Sequence, residues 1–553
     1  MNKKYILSGA SLALIMGMSS CVGDLDVTPI DPSTNMEVNE PALYAKCYSN
    51  MALPGVWGAN GDCDIDGLDG GTSGFVRQIF NANELTTDES MCAWGDTGIP
   101  GFNYNQWDAA NPMLQGLYYR LFAGINVCNH YLDVCKGADA TREAEVRFLR
   151  ALYYYYLMDL YGNPAFTEEV AGAQPEQIKR ADLFAWLEAE LMSCRSDMQP
   201  STARSSRDEG YGRADQDAAN LLLARMYLNA QVYTGTPQWD NAQKYAEMVI
   251  GGKHQLWKGG SATSVDELDG QTKWSSYQML FMGDNGENGA SVEAILPLIQ
   301  TGGVTYNADG SVAQYATTSW GTSLFLMAST WKDDMDTYSN YGTSEKWAGN
   351  RARSQFVAKF YPNGDAPQAN VEDMQKGAKD SRALLYGIDR ELHISTPGDF
   401  ASGYAVAKFR NTYAGAGAPS HSQYPDADYF LMRSAEAYLI AAEAIARQNG
   451  NQCNGTALGY LNELRERALA PKLSQANIND ILDERSRELY YEGFRRTDLI
   501  RYGLFGGDNS RNYLWEWKGG QETGVGFSAN LNVFGIPTEE LNANTNLTQN
   551  PGY

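Results

Sequence analysis

The chain has 553 residues, of which 43% are apolar and 12% aromatic, so it can bury a large core, and neither a disulfide-stapled miniprotein nor a disordered chain fits. Its 67 acidic residues outnumber 43 Lys and Arg, which gives a formal net charge of −24 and no basic stripe for phosphates. Nucleic acid is therefore not the expected partner. The chain has 34 Tyr and 12 Trp but only 18 Phe. Rings that carry a polar group are suited to partly solvent-exposed surfaces, and sugar binding is one use of such surfaces.

The N-terminus has the pattern of an export signal. Lys3 and Lys4 precede a mostly apolar run over residues 6–18 that is too short to span a bilayer, and two serines precede Cys21. This arrangement resembles a bacterial lipoprotein signal, in which the cysteine becomes the acylated first residue. No later run approaches 18 apolar residues, so a lipid on Cys21 is the expected membrane anchor.

This interpretation divides the chain into three parts. Residues 1–20 are predicted to be the signal peptide, residues 21–41 the acylated cysteine with its leader, and residues 42–553 a single folded body.

Helical periodicity is clear in eight segments, most of which come in neighbouring pairs. The predicted helices cover residues 115–136, 142–161, 182–198, 215–232, 239–250, 429–448, 457–468 and 478–502. Small residues such as Ala224, Ala242 and Ala246 lie where two paired helices would approach closely. The pattern is loosely like that of tetratricopeptide repeats and predicts a mostly α fold with a scaffold of helix pairs.

Two long segments, residues 54–114 and 251–423, are rich in Gly, Ser, Thr, Asn and aromatic residues and show no sustained period. Long irregular segments of a compact protein are usually functional or disordered, and their Trp and Tyr content favours ordered loops. We therefore predict that these loop-rich insertions carry the ligand site. Helical pairs occur on both sides of the second segment, so one interlaced body is expected.

Three stretches carry a family resemblance. They are EVRFLRALYYYYLMDLYGNPA at residues 145–165, DERSRELYYEGFRRTDLIRYG at residues 483–503, and the closing segment with IPTEEL and NLTQNPGY at residues 536–541 and 546–553. With the lipoprotein-like signal, their order and spacing resemble the SusD/RagB family of outer-membrane glycan-binding lipoproteins. The charged residues of the first two stretches lie at helical spacings, so we expect them to form ion pairs within the scaffold and not the ligand site.

The resemblance implies a function and a location. Members of this family are anchored by lipid to the outer membrane and face outward, and they capture oligosaccharide or polysaccharide for a TonB-dependent SusC-like transporter. We expect a glucan or a related polysaccharide as the ligand. The RagB branch implies an alternative, a receptor for peptides.

The resemblance also points to three site residues. Arg77, Trp94 and Trp320 match positions that carry sugar contacts in the family's founding starch binder. A second tryptophan of that protein is replaced here by Cys92, and the loop at residues 95–98 is shortened. We therefore expect a flatter platform of Trp94 and Trp320, suited to an extended glycan. Trp57, Trp107, Tyr404 and Tyr424 are further aromatic candidates.

Two oxygen-rich segments suggest a cation, although no cofactor is required. Asp284 and Glu287, together with Asp426 and Asp428, resemble the region where some relatives hold a structural calcium. Residues 62–69 begin like an EF-hand loop, but Ser73 stands where a bidentate Glu is required. That motif has two interpretations, a calcium loop and a polar turn.

Catalytic motifs are scarce. The four histidines show no zinc spacing, and there is neither a nucleophile elbow nor a phosphate loop. A glycoside hydrolase pair of carboxylates needs only a suitable separation in space, so this alternative stays open, but a protein that is not an enzyme is favoured. Seven cysteines follow Cys21 without CxxC spacing, and Cys128 and Cys135, seven apart on one helix, are predicted to be core residues without a bridge.

Overall fold

The computed structural model describes residues 38–55, 63–170, 173–314, 316–330 and 341–553. The predicted signal peptide, Cys21, most of the leader and Trp57 lie outside these ranges. Helices and strands are numbered in chain order over the described residues.

The α-helices are α1 Glu40–Ala52, α2 Gly70–Ser73, α3 Phe75–Asn83, α4 Ile99–Asn103, α5 Pro112–Val134, α6 Ala140–Tyr161, α7 Arg180–Cys194, α8 Gln216–Leu228, α9 Ala230–Thr234, α10 Trp239–Ile250, α11 Ser276–Met279, α12 Ser323–Thr330, α13 Ser354–Val357, α14 Val371–Ala378, α15 Ser434–Gln448, α16 Gly455–Arg467, α17 Ile478–Leu489, α18 Arg495–Arg501 and α19 Thr538–Ala543. The strands are β1 Ser90–Cys92, β2 Ala165–Phe166, β3 Glu176–Gln177, β4 Ala294–Leu298, β5 Thr305–Tyr306, β6 Val312–Gln314, β7 Asn350–Ala352, β8 Leu385–Tyr386, β9 Tyr404–Val406, β10 Tyr429–Arg433, β11 Gln452–Cys453 and β12 Ala476–Asn477.

The two longest helices begin at capping side chains. Asn111 accepts hydrogen bonds from the backbone at the start of α5, and Asp139 does the same for α6. Helix α6 ends before Gly162, whose φ of 73° removes the chain from helical geometry. Most side chains of α6 are buried, because this helix packs between α5 and α7.

Packed helices form the scaffold, as predicted. Helix α10 packs against α8 and α15, and α15 in turn packs against α16 and α17. Ala224, Ala242 and Ala246 are fully buried where α8 and α10 meet, which confirms their predicted place at a close approach. One hydrophobic cluster draws side chains from Cys47 to Leu547, and a smaller cluster lies around α15 to α17.

Two predicted helices are wrong in part. Residues 429–433 form strand β10, because the backbone of this buried run pairs antiparallel with β4 instead of continuing α15. The predicted helix 478–502 is broken between α17 and α18, where Tyr491 and Gly493 have φ of 63° and 85°.

A four-stranded antiparallel sheet lies within the loop-rich insertions and was not predicted. Its strand order is β1-β7-β9-β8, and Cys92 of β1 pairs with Asn350 of β7. This pairing joins the two insertions, and it places the residues just after β1 beside those just before β7.

Most charged residues of the first two resemblance stretches form ion pairs, as predicted, and most of these side chains are buried. Arg147 and Arg150 bind Glu190, Arg213 binds Glu145, and Arg485 binds Asp498. Further pairs join Arg495 to Asp88, Arg501 to Glu443, and Glu488 to Arg433 and Arg467. These contacts connect elements that are distant in sequence, so the charges are structural.

The cysteines that follow Cys21 also match the prediction. All seven are unbridged, six are buried, and Cys128 and Cys135 are among the buried ones.

Candidate ligand-binding cleft

A cleft of about 960 Å³ brings the three predicted site residues together. Arg77, Trp94 and Trp320 all line it, and a third tryptophan, Trp347, lines it as well. The remaining lining residues are Pro54, Asp69, Gly70, Gly71, Thr72, Asp96, Thr97, Pro112 and Met113. The cleft is thus built from both loop-rich insertions and from the N-terminal end of α5.

The three indole rings follow one another around the cleft. Trp347 lies between the others, with its ring centroid 6.5 Å from that of Trp94 and 5.3 Å from that of Trp320. The ring planes are inclined by 55° and 50° in these two pairs. A third ring, inclined to both, therefore stands between the two tryptophans of the expected platform, and we call the three rings together the tryptophan arc.

Trp94 is positioned by the sheet. It follows β1 by two residues, and the N–H of Ala93 extends the pairing by donating to the carbonyl of Gly349 at 2.9 Å. Gly349 has a φ of 105°, and a Cβ at this position would lie 2.3 Å from Nε1 of Trp94. A glycine is required here because only a bare backbone leaves room for the indole ring. The Trp94 ring also makes a T-shaped contact with Phe325 of α12.

Trp347 was not singled out in the sequence. It comes just before Gly349, and its indole N–H donates to Glu345. The only local signal was a tryptophan in a Gly-containing loop, which does not distinguish it from other loop aromatics. Its place in the cleft depends on the β1–β7 pairing between residues far apart in the chain.

Trp320 is presented by a tight turn and is the most exposed of the three rings, with 43% of its surface accessible. The N–H of Arg77 donates to the carbonyl of Gly321 at 3.0 Å, which ties this turn to α3. Thr318 and Ser323, on either side of the turn, donate to backbone carbonyls in the segment before β10. The turn is therefore held from two directions while its ring projects into the cleft.

Two glycines allow the turn to approach α3. A Cβ on Gly74 would lie 2.6 Å from Cα of Gly321, and a Cβ on Gly321 would lie 2.8 Å from Cα of Gly74. We expect Gly74→Ala to displace the Trp320 turn, to lower ligand affinity and to cost about 1–3 kcal/mol of stability. Calorimetric titration and urea unfolding measure both effects. Gly95→Ala, where no atom lies within 4 Å of the added Cβ, is the matched control, and equal behaviour of the two variants would contradict the prediction.

Arg77 lines the cleft with a largely buried side chain. Its guanidinium carbon lies 5.4 Å from the ring centroids of both Trp94 and Phe325, and its Nη2 is 3.6 Å from Asp96. Burial lowers the pKa of the Arg77 guanidinium, while the carboxylates of Asp96 and Asp69 act in the opposite direction. Arg77 thus lines the cleft and also packs against the ring of Trp94.

The rest of the rim is polar and carries more acid than base. Asp69 caps α2 by accepting from the N–H and hydroxyl of Thr72, and Asp96 has 55% of its side chain exposed. The shortened loop thus contributes Asp96 and Thr97 to the cleft. Carboxylates of this kind accept hydrogen bonds from the hydroxyl groups of a neutral ligand, and threonine hydroxyls can both donate to them and accept from them.

Other aromatic candidates lie elsewhere. Trp107 is buried and donates to Tyr553, and Tyr404 is buried in β9, so both belong to the core. Tyr424 stacks on His421 and does not line the cleft. Cys92 is buried, and burial raises the pKa of its thiol to about 12, so it contributes neither a ring nor a thiolate.

The four predicted calcium ligands are each held by protein donors. Asp284 accepts from Ala414 and Gly415, Glu287 pairs with Arg207, Asp426 accepts from Gly302, Tyr413 and Ser420, and Asp428 accepts from Tyr211 and Gln300. Burial raises the pKa of Asp428 to about 7. These bonds join the segments around β4 and β10.

These carboxylates do not converge as one ligand set. Within the described residues, the one group of three or more His, Cys, Asp or Glu whose donor atoms lie within 4.8 Å of one another is Asp215, Asp217 and His254. Asp215 caps the N-terminus of α8, and its carboxylate forms a hydrogen bond with Nε2 of His254 at 2.8 Å. These contacts explain why the three side chains lie together. The calcium site around Asp284 and Asp428 stays a prediction that this donor arrangement does not favour.

In the EF-hand-like segment, two of the three described carboxylates have structural partners. Asp64 lies between Arg120 and Lys46, and Asp69 caps α2, while Asp62 lies outside the described residues. The polar-turn interpretation fits these contacts.

A helical scaffold whose loop-rich insertions form an aromatic cleft is typical of a ligand-binding protein. Comparison with known proteins points to the same class. The model described as the SusD family matches residues 254–553. The chain is 36% identical to the starch-binding protein SusD of Bacteroides thetaiotaomicron over an alignment of 596 positions, gaps included, which covers 100% of both chains. The chain belongs to the SusD family.

Solved structures share the fold. A laminarin-binding SusD-like protein is 21% identical with a TM-score of 0.61, covering 94% of this chain and 99% of that one. Surface glycan-binding protein A of Bacteroides thetaiotaomicron, solved with laminarihexaose, is 19% identical with a TM-score of 0.62, covering 92% and 98%. No helix in the described ranges is both long and apolar enough to cross a membrane.

Proposed function

We propose that this protein is a cell-surface receptor that captures a neutral glucan, with an α-glucan such as starch as the preferred ligand. The observation that carries the proposal is the arc of Trp94, Trp347 and Trp320 around one cleft. Sugar rings present weakly polar C–H faces that stack on aromatic rings, and their hydroxyl edges need hydrogen-bonding groups such as those of the rim.

The inclination of the rings supports a curved ligand. Successive indole planes differ by 55° and 50°, so a flat, extended chain cannot stack on all three rings at once, and a glucan whose chain curves is the better match. The starch-binding relative, which aligns over the whole chain, supports the same choice.

The charge of the rim supports a neutral ligand. Asp69 and Asp96 border the cleft together with one guanidinium, that of Arg77, which already faces Asp96. A polysaccharide rich in uronic acids would meet repulsion from these carboxylates, whereas a neutral sugar can donate its hydroxyls to them.

The remaining parts of the proposal follow the family. The protein would be anchored to the outer membrane through lipid on Cys21, face outward and pass its ligand to a SusC-like TonB-dependent transporter. It would act by binding alone, without catalysis, in keeping with relatives whose names describe binding.

The proposal is tested by titration calorimetry and affinity electrophoresis against amylopectin, maltoheptaose, laminarin, cellohexaose, polygalacturonate and a mixed peptide pool. We expect retardation by amylopectin and measurable binding of maltoheptaose, weaker binding of the extended cellohexaose, and none of polygalacturonate or peptides. Binding of the peptide pool alone would contradict the proposal, and release of reducing ends during prolonged incubation would contradict the absence of catalysis.

A further inference from the structure

A second cleft, of about 860 Å³, lies farther along the helix that borders the first one. Its lining includes Tyr119, Phe122 and Asn126 of α5, Asp66 of the loop before α2, and Glu540 of α19. None of its lining residues among the described part of the chain is Lys or Arg.

Helix α5 connects the two clefts. Pro112, at its N-terminal end, lines the first cleft, and Tyr119, seven residues later and on nearly the same helix face, lines the second. A rise of 1.5 Å per residue separates these positions by about 10 Å along the helix axis. The segment from residue 64 to residue 72 borders both clefts, and a Cβ on Gly116 would lie 2.1 Å from the carbonyl oxygen of Thr72, so this segment rests directly on α5.

The second cleft, like the first, combines aromatic rings with polar side chains, but its rings are those of Tyr119 and Phe122 and not of tryptophans. Tyr119 and Phe122 are half-buried rings, and Phe122 is braced by Tyr118 with centroids 4.8 Å apart. Burial and the neighbouring Glu540 raise the pKa of the Tyr119 hydroxyl, so this group stays a neutral donor and acceptor. Carboxylates and amides around the rings can bond sugar hydroxyls, and the absence of a lining cation favours a neutral ligand.

We propose that the cleft formed by Tyr119, Phe122, Asn126, Asp66 and Glu540 is a second glycan subsite, which binds another part of the same polysaccharide chain that occupies the tryptophan arc. This inference rests on the proposed function. A chain long enough to reach both clefts gains avidity, because its second contact forms at high effective concentration. A short oligosaccharide fills the tryptophan arc alone.

The test compares a polymer with a short ligand on the double variant Tyr119→Ala/Phe122→Ala. We expect the affinity for amylopectin, measured by affinity electrophoresis, to fall roughly tenfold, while the affinity for maltoheptaose, measured by calorimetry, changes less than twofold. Tyr119→Phe keeps the ring and should retain most polymer binding. Tyr460→Ala, which removes a half-buried tyrosine that lines neither cleft, is the matched control.

A second measurement keeps the test decisive if the double variant folds poorly. In a variant with Trp94, Trp320 and Trp347 all replaced by Ala, weak residual retardation by amylopectin should persist and should disappear when Tyr119→Ala is added. Complete loss of retardation in the tryptophan variant would overturn the second subsite, as would unchanged polymer binding by Tyr119→Ala/Phe122→Ala. If the native protein binds no glucan at all, the proposed function itself fails.

Discussion

Replacing Trp94, Trp347 and Trp320 together by Ala is expected to reduce polysaccharide binding to a small residue of its native strength. An aromatic residue at the centre of an interface commonly contributes about 2 kcal/mol or more, and each 1.4 kcal/mol corresponds to a tenfold change in affinity. Each single substitution should therefore weaken maltoheptaose binding roughly 30-fold. Trp347→Ala should have the largest effect, because its ring contacts both neighbours.

Measuring the melting temperature of each variant distinguishes the loss of a ligand contact from the loss of the folded structure. Trp320 is 43% exposed, so Trp320→Ala should leave the melting temperature nearly unchanged while it lowers binding. Trp94→Ala removes a ring packed on Phe325 and Arg77 and should also destabilise the protein. Trp239→Ala, outside the cleft, serves as the control. Undiminished retardation of the triple variant in amylopectin gels would remove the basis of the proposed function.

Glu488→Gln is expected to cause the largest loss of stability. The carboxylate of Glu488 is fully buried and binds the guanidiniums of Arg433, Arg467 and Arg382. Neutralising it leaves three buried cations undercompensated, and breaking a buried ion pair in this way typically costs about 3–5 kcal/mol. Urea unfolding followed by tryptophan fluorescence measures the change.

The control is an ion pair in a different environment. Glu463 pairs with Lys258 at the surface, where both side chains are nearly half exposed, so Glu463→Gln should cost less than about 1 kcal/mol. Similar losses in the two variants would contradict the structural role assigned to the Glu488 cluster.

The same cluster predicts how stability depends on pH. Burial by itself would raise the pKa of Glu488, but the three arginines outweigh it and lower the pKa from 4.5 to about 2. A carboxyl group with a depressed pKa in the folded state contributes its full stability above the unfolded value near 4.5 and loses it as the pH falls toward 2. Unfolding measured across this range should show a weaker loss in Glu488→Gln than in the native protein.

The sequence predicts two of the three tryptophans of the cleft but not Trp347, the ring between them. Trp94 and Trp320 stood out because both lie in Gly/Ser-rich loops, outside helical stripes, and their positions match sugar contacts of the family. Trp347 did not, because its role depends on β1 pairing with β7, a contact between residues roughly 260 positions apart whose strands are only three residues long. Such short strands leave too little alternation to be recognised.

The errors in the scaffold have similar causes. Residues 429–433 continue the apolar pattern of α15, and only the pairing with β4 makes them a strand. The break between α17 and α18 depends on a positive φ at Tyr491, which local propensity disfavours and tertiary packing imposes.

The helical scaffold and the structural role of the charged stretches could be predicted from the sequence because helical periodicity and charge spacing are local properties of the chain, and the composition of the loop-rich insertions placed the candidate cleft on them. Only tertiary contacts bring a third indole ring between the two predicted ones, with its plane inclined to both. That outcome depends on backbone contacts between distant segments, at Gly349 beside Trp94 and at Gly74 against Gly321, and no local pattern encodes the angle at which two such segments meet.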